Sequence, residues 1–359
     1  MAGFEQLIRR LAANAARDDA SIEWPADSMA ILAAAGADRW VIPREFGGDG
    51  WTAEQILAGY EAVGRGSMSA ILILTQRDAA CDLIMTSPNE ELKQTWLPLL
   101  SRGEAFTTVG IAQVTTSHQS GPPAMTAFPD ADGGYRLRGF MPWATGADHA
   151  DFIVTAAVLP NGKQILAGVP RERAGIRVEP PLRLMALSCT RTSRVVCDDA
   201  RIEKQWVLRG PAEKVLAIRS TVKPMVVSSA GLGLAGALVD QLKEHEAKNP
   251  PELFAAVEPL LARYADIRAR LYAAAREQAA NGAEGPSSEL RVEVNDLVVR
   301  LAITAQTFAK GTGYLVGHPV ERLVREAMFF LVWSAPDHIR VATLTGLAAS
   351  DGIRARFAP

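Results

Sequence analysis

The chain has 359 residues, 48% of them hydrophobic and 22% charged, more than a single core absorbs, so two or three globular domains are expected. Its 38 Lys and Arg against 40 Asp and Glu leave a net charge of −2 with no basic block, which argues against nucleic acid or an anionic membrane surface as partner. Three cysteines (Cys81, Cys189, Cys197) without CxxC spacing, and no apolar run able to span a bilayer, point to reduced thiols in a cytoplasmic protein.

In chain order, Phe4, Leu7, Ile8, Leu11 and Ala15 recur at helical spacing, which predicts an amphipathic helix and not a signal peptide. The segment VIPREFGGDG at 41–50 predicts a loop whose glycine pair permits a positive φ before a helix restarts through Tyr60-Glu61-Ala62-Val63-Gly64. Glu90 to Leu100 leads into Gly103-Glu104. From about 106 the period changes. Tyr135 to Gly139 alternates, Phe152 to Thr155 is β-branched or aromatic, Asn161-Gly162 signals a hairpin, and Thr192 to Val196 is a further strand candidate. Cys197 is expected to fill the core.

From about 216 the pattern is helical again. Leu261, Tyr264, Ile267, Leu271 and Tyr272 share a face, as do Val294, Leu297, Val298 and Leu301, with a loop over Asn281 to Ser288. Gly231-Leu232-Gly233-Leu234-Ala235-Gly236 fits the spelling of a dinucleotide fingerprint, but it lies inside a small-residue helix with no strand before it, so close helix packing is expected.

Phe308 to Asp337 reads FAKGTGYLVGHPVERLVREAMFFLVWSAPD: a Gly-x-Gly-aromatic turn, Pro-Val-Glu-Arg, Arg-Glu-Ala, then a short helix. This run resembles the C-terminal signature of acyl-CoA dehydrogenases, and the segments at 41–50, 60–64 and 90–104 are similar to the N-terminal part of that family in order and spacing. The resemblance covers nearly the whole chain. It implies an α+β fold in three parts: an N-terminal helical domain at 1–105, a middle antiparallel β domain at 106–215 and a C-terminal four-helix bundle at 216–359. It also implies FAD held between the β domain and the bundle. A homodimer or homotetramer is implied as well, the other arrangement being a hetero-oligomer with an active homologue.

By the same resemblance, Trp143 and Thr145 match the family's Trp-x-Thr beside the flavin, where an aromatic wall and a hydroxyl donor are needed. Thr115 aligns with the Thr of a second flavin motif whose remaining residues differ. Lys248 stands where an Arg meets the FAD pyrophosphate, and Gly311-Thr312-Gly313 keep the turn on the adenylate side. The family's catalytic Glu falls on Ser334, followed by Ala335 and Pro336. A serine hydroxyl has far too high a pKa to be the base; Asp337 is the nearby substitute, and the alternative base position on the first bundle helix falls on Val222. The five histidines show no ligand spacing, so no metal site is expected. The implied activity is a flavin-dependent oxidoreductase acting on an acyl thioester, on CoA or a carrier protein, with an atypical or missing base. The alternatives are a flavin oxidase or monooxygenase on the same fold, which needs no α-proton base, and a non-catalytic subunit.

Overall fold

A computed structural model describes residues 2–115, 121–217, 225–281 and 287–349. The N-terminal part holds α1 (Glu5–Asp19), α2 (Ala26–Ala34), α3 (Ala53–Gly66), α4 (Met68–Met85) and α5 (Glu90–Ser101). Helix α1 buries Leu7, Leu11 and Ala15, as its spacing requires. Helix α3 restarts after the 41–50 loop at a capping box, in which Thr52 N–H donates to Gln55 Oε1 (2.9 Å) and Gln55 N–H to Thr52 Oγ1 (3.4 Å).

The middle part is one sheet. Its strands are β1 (Thr107–Gly110), β2 (Met125–Pro129), β3 (Tyr135–Ala144), β4 (Phe152–Val158), β5 (Gln164–Pro170), β6 (Ile176–Val178), β7 (Ser193–Ile202) and β8 (Val207–Ala212), with a four-residue helix α6 (Ala112–Thr115) after β1. The order is β6-β7-β3-β2-β4-β5-β8, with β1 also on β4. Along β3, Tyr135 and Leu137 are buried and Arg136 and Arg138 exposed, the alternation read from the sequence. The Asn161-Gly162 turn joins β4 to β5, with Gly162 at φ +83°. The sheet is mixed and not wholly antiparallel: β1 and β4 run parallel, since the chain builds the β2–β3 hairpin before it returns beside β1.

The C-terminal part comprises α7 (Val226–Glu246), α8 (Pro251–Ala255), α9 (Glu258–Asn281), α10 (Ser287–Ala309), α11 (Pro319–Phe329) and α12 (Asp337–Ala348). Its core is continuous with that of the N-terminal helices: Leu11, Leu57 and Ile71 belong to the same buried cluster as Leu234, Leu271, Val298 and Phe330. A second cluster lies within the sheet and contains Cys197, and a third joins the sheet to α4 and α5. All three cysteine thiols are buried, and burial pushes each up to about 12, so none is reactive. Glu321, Arg322 and Arg325 are ion-paired: Arg325 joins Glu321 and Asp19 (both 2.5 Å), and Arg322 joins Glu326 (3.0 Å). No helix among the described residues is long and apolar enough to cross a membrane.

The glycine-rich run is packing, not a phosphate loop. It lies in α7, where a Cβ on Gly233 would sit 2.4 Å from the Glu61 carbonyl oxygen of α3 and one on Gly64 of α3 2.8 Å from the Ala230 oxygen of α7. Ordinarily Gly→Ala inside a helix stabilises by about 0.5–1 kcal/mol. Here Gly233→Ala is expected to destabilise by about 2 kcal/mol through overpacking, read as a lower urea midpoint at unchanged slope; a raised midpoint would refute the contact.

Candidate functional site

The end of β3 is irregular. Met141 pairs with Val195 and Ala144 with Ser193, so Pro142 and Trp143 together face Arg194 in a bulge. Bulges re-aim side chains, and here the indole of Trp143 stands 49% exposed. Just before it, Phe140 carries the guanidinium of Arg194, whose Cζ lies 3.9 Å from the ring centroid. Thr145 follows and is buried.

Thr145 belongs to a row of buried hydroxyls. Its Oγ1 is 3.1 Å from that of Thr192, which is 2.9 Å from that of Thr190, and Thr190 donates to the Leu187 carbonyl (2.8 Å). Each hydroxyl has a single proton. Thr190 spends its own on the carbonyl, so Thr192 donates to Thr190 and Thr145 donates to Thr192. Thr145 therefore keeps only lone pairs for any further partner, where its motif implies a donor. Sequence alone could not show this, because the direction is set 45 residues away in the chain.

The segment carrying Thr190 and Thr192 is held in an uncommon backbone. Leu187 (φ +69°) and Arg191 (φ +49°) are both left-handed without being glycine. Arg191 is clamped to Asp148 (2.5 Å) and donates to the Ile22 carbonyl (3.2 Å). Burial acts to raise the Asp148 carboxyl, but the hydrogen bonds and charge of Arg191, with His149, outweigh it and hold the group below its ordinary value. A lowered folded-state pKa stabilises above the unfolded value and is lost as pH falls through the folded one. Asp148→Asn should thus cost about 2 kcal/mol at neutral pH, with the gap to wild type closing in acid below the unfolded value of 3.8. Chemical denaturation across pH checks this, and a gap that persists in acid would remove the electrostatic explanation.

A second group forms where α7 and α10 end. The Lys310 ammonium donates to the Lys248 carbonyl (3.2 Å), and Asn249 Nδ2 bridges the His245 (2.9 Å) and Phe308 (3.1 Å) carbonyls. This brings Lys248 against the turn of Gly311, Thr312 and Gly313, in which Thr312 Oγ1 donates to the Ala309 carbonyl (2.6 Å). Two lysines and a tight turn suit a polyanion. Lys310 was not singled out in the sequence; its φ of +54° at a position that favours glycine is the trace it leaves.

Ser334 and Asp337 flank the α11–α12 loop. Ser334 is exposed and left-handed (φ +45°). The preceding turn is pinned by Arg291, which donates to the Phe330 (3.1 Å) and Trp333 (2.8 Å) carbonyls. Arg291 is buried with no carboxylate beside it, and burial pulls it down to about 9. Asp337 opens α12, is 83% exposed and pairs with Arg340 (3.0 Å). Among the described residues no hydrogen bond joins either residue to Trp143 or Thr145. Thr115 Oγ1 donates back to the Ile111 carbonyl (3.2 Å) within its own short helix. Residues 116–120, from the same motif, and Val222 lie outside the described residues.

An open cleft of about 610 Å³ lies beside β6, but its arginines face carboxylates: Arg171 with Glu172, Arg177 with Glu179, Arg191 with Asp148. It carries no spare charge for a ligand. The bulge of β3 and the Lys248 corner are different. An exposed indole, a phenyl ring, a threonine hydroxyl at the strand end and a cation without an ion pair among the described residues suit the ring end of a flavin, and the lysine corner suits a pyrophosphate. The described residues fit that cofactor.

Residues 4–104 match the family model "Acyl-CoA dehydrogenase, N-terminal domain". The L-prolyl-[peptidyl-carrier protein] dehydrogenase of Pseudomonas fluorescens is 31% identical over 229 residues, spanning 61% of this chain and 60% of that protein. "Probable acyl-CoA dehydrogenase YngJ" of Bacillus subtilis is 24% identical over 354 residues, 92% of each chain. The N-terminal part of the chain is thus that of the acyl-CoA dehydrogenase family, and over nearly its whole length the chain is similar to members of it. Its fold superposes on a glutaryl-coenzyme A dehydrogenase in complex with glutaryl-CoA with a TM-score of 0.84, covering 98% of this chain and 96% of the other at 19% identity. The three-part architecture is therefore that of the family, with a mixed sheet in the middle and a helical C-terminal region.

Proposed function

We propose that this protein is a flavin-dependent oxidoreductase acting on an acyl thioester, with FAD as the flavin. The observation that carries the reading is the β3 bulge, which turns Trp143 out next to Phe140 and places the Thr145 oxygen at its end. The likeness to a dehydrogenase named for a peptidyl-carrier protein supports a carrier-bound thioester, and the likeness to acyl-CoA dehydrogenases supports CoA.

Bound FAD supplies the acceptor for a hydride from the substrate. Trp143 and Phe140 wall off one face from water. Lys248 and Lys310 neutralise the pyrophosphate, as point charges without the fork of an arginine. The loop of Ser334, held by Arg291, borders the substrate. Proton removal is where the chain departs from its relatives. Among the described residues no base is hydrogen-bonded to Ser334, Asp337 stands in solvent on Arg340, and Glu326 is buried with both oxygens on Arg322 (3.0 Å). That lack favours a second reading, a flavin oxidase or monooxygenase, in which no α-proton base is required.

The exposed run Tyr314, Leu315 and Val316 (82%, 64% and 95%) continues from the Lys248 corner and supports a homodimer or homotetramer in which a second copy covers that corner.

The purified protein is expected to take up FAD and show flavin absorbance, and Trp143→Ala to weaken that binding about tenfold, or about 1.4 kcal/mol; a protein that stays colourless with FAD ends the flavin reading. Ser334→Glu is expected to raise desaturation of an acyl thioester with the flavin content unchanged. If turnover stays at background while oxygen is consumed with reduced flavin, the oxidase or monooxygenase reading replaces it.

A further inference from the structure

Arg194 is an exposed cation of β7 that rests on an aromatic ring. On the same strands, Arg136 (3.0 Å) and Arg138 (2.8 Å) share Asp199, and on the neighbouring strand Arg177 takes Glu179 (3.2 Å). Among the described residues Arg194 has no ion pair, yet it is not a loose surface side chain. Its carbonyl accepts the Glu179 N–H (2.9 Å), which fixes the backbone, and its guanidinium lies 3.9 Å from the Phe140 ring centroid. The register places it opposite Pro142 and Trp143, so the bulge brings the charge and the exposed indole to one place.

We propose that Arg194 is an electrostatic positioning residue for the flavin: held on Phe140 across from the Trp143 bulge, its guanidinium stabilises the negative charge of the reduced ring system. This rests on the flavin reading above. Two electrons and one proton added to oxidised flavin leave the isoalloxazine with a single negative charge, and a fixed cation beside it favours that state over the neutral oxidised one. Stacking on the Phe140 ring holds the guanidinium in one place, so its charge acts from a fixed position and is not spread over the reach of a mobile side chain. Arg194 thus sets how readily the flavin accepts electrons, whichever substrate supplies them.

The test is the midpoint potential of the FAD-loaded protein, followed by its visible spectrum against a reference dye during slow enzymatic reduction with xanthine and xanthine oxidase. Arg194→Gln is expected to reduce the ratio of reduced to oxidised flavin about tenfold at fixed potential, about 30 mV for a two-electron couple. Phe140→Leu, which removes the stack and keeps the charge, should shift it less and in the same direction. Arg194→Lys should recover part of the loss, and Arg177→Gln, a paired surface arginine, should change nothing. Thermal midpoints confirm that the variants fold. A wild-type protein that binds no flavin overturns the flavin reading and this inference together. Flavin bound with an unchanged potential in Arg194→Gln overturns this inference alone and leaves the reading standing.

Discussion

The close approach of α3 to α7 is the constraint on which the rest of the molecule depends. Where Gly64 and Gly233 face each other's helices, the backbones touch without side chains between them. This contact fuses the N-terminal helices and the C-terminal bundle into one apolar core running from Leu11 to Phe330. Two of the polar groups sealed beneath it are satisfied in place. The Glu61 carboxylate, fully buried, receives Arg268 Nε (2.6 Å) and the Tyr272 hydroxyl, and Ser229 donates to the Leu57 carbonyl (2.6 Å). With so rigid a helical body, the sheet is set against α4 and α5, and its outer strands can carry irregular backbone.

That irregularity is concentrated where chemistry is placed. The β3 bulge exposes an indole that a regular strand would hide, and the left-handed residues at 187 and 191 hold a hydroxyl row whose proton direction is fixed from one end. Strain of this kind persists only where surrounding contacts over-determine it, as Arg191 does through Asp148 and Ile22. The α11–α12 loop shows another form of the same economy. Arg291 is desolvated for the sake of two carbonyls, without an acid to balance it, and Ser334 beyond it occupies a left-handed position. The loop is well fixed, and among the described residues Ser334 has no carboxylate partner.

Much of this was legible in the residue order. Helical spacing located α1, α9 and α10, and alternation located β3. Asn161-Gly162 located the β4–β5 turn, since only residues tolerant of positive φ fit it. The small residues of α7 could be told from a phosphate loop because no strand precedes them. The family signature at 308–337 indicated the architecture. What was not legible depends on pairing between distant segments. The parallel contact of β1 with β4, the meeting of Lys248 with Lys310, and the placement of Arg194 on Phe140 all join residues with no shared local period.

By itself, then, the sequence determined the fold class and the order of helical and strand segments, because each follows from local periodicity or from turn chemistry at a numbered place. Only the tertiary structure decided which way the Thr145 proton points, that Arg194 rests on Phe140, and how α3 and α7 share a core. Those properties belong to partners brought together across the chain: a hydrogen bond's direction and a charge's balance are set by what lies opposite in space, and a linear code does not specify that until the backbone has closed.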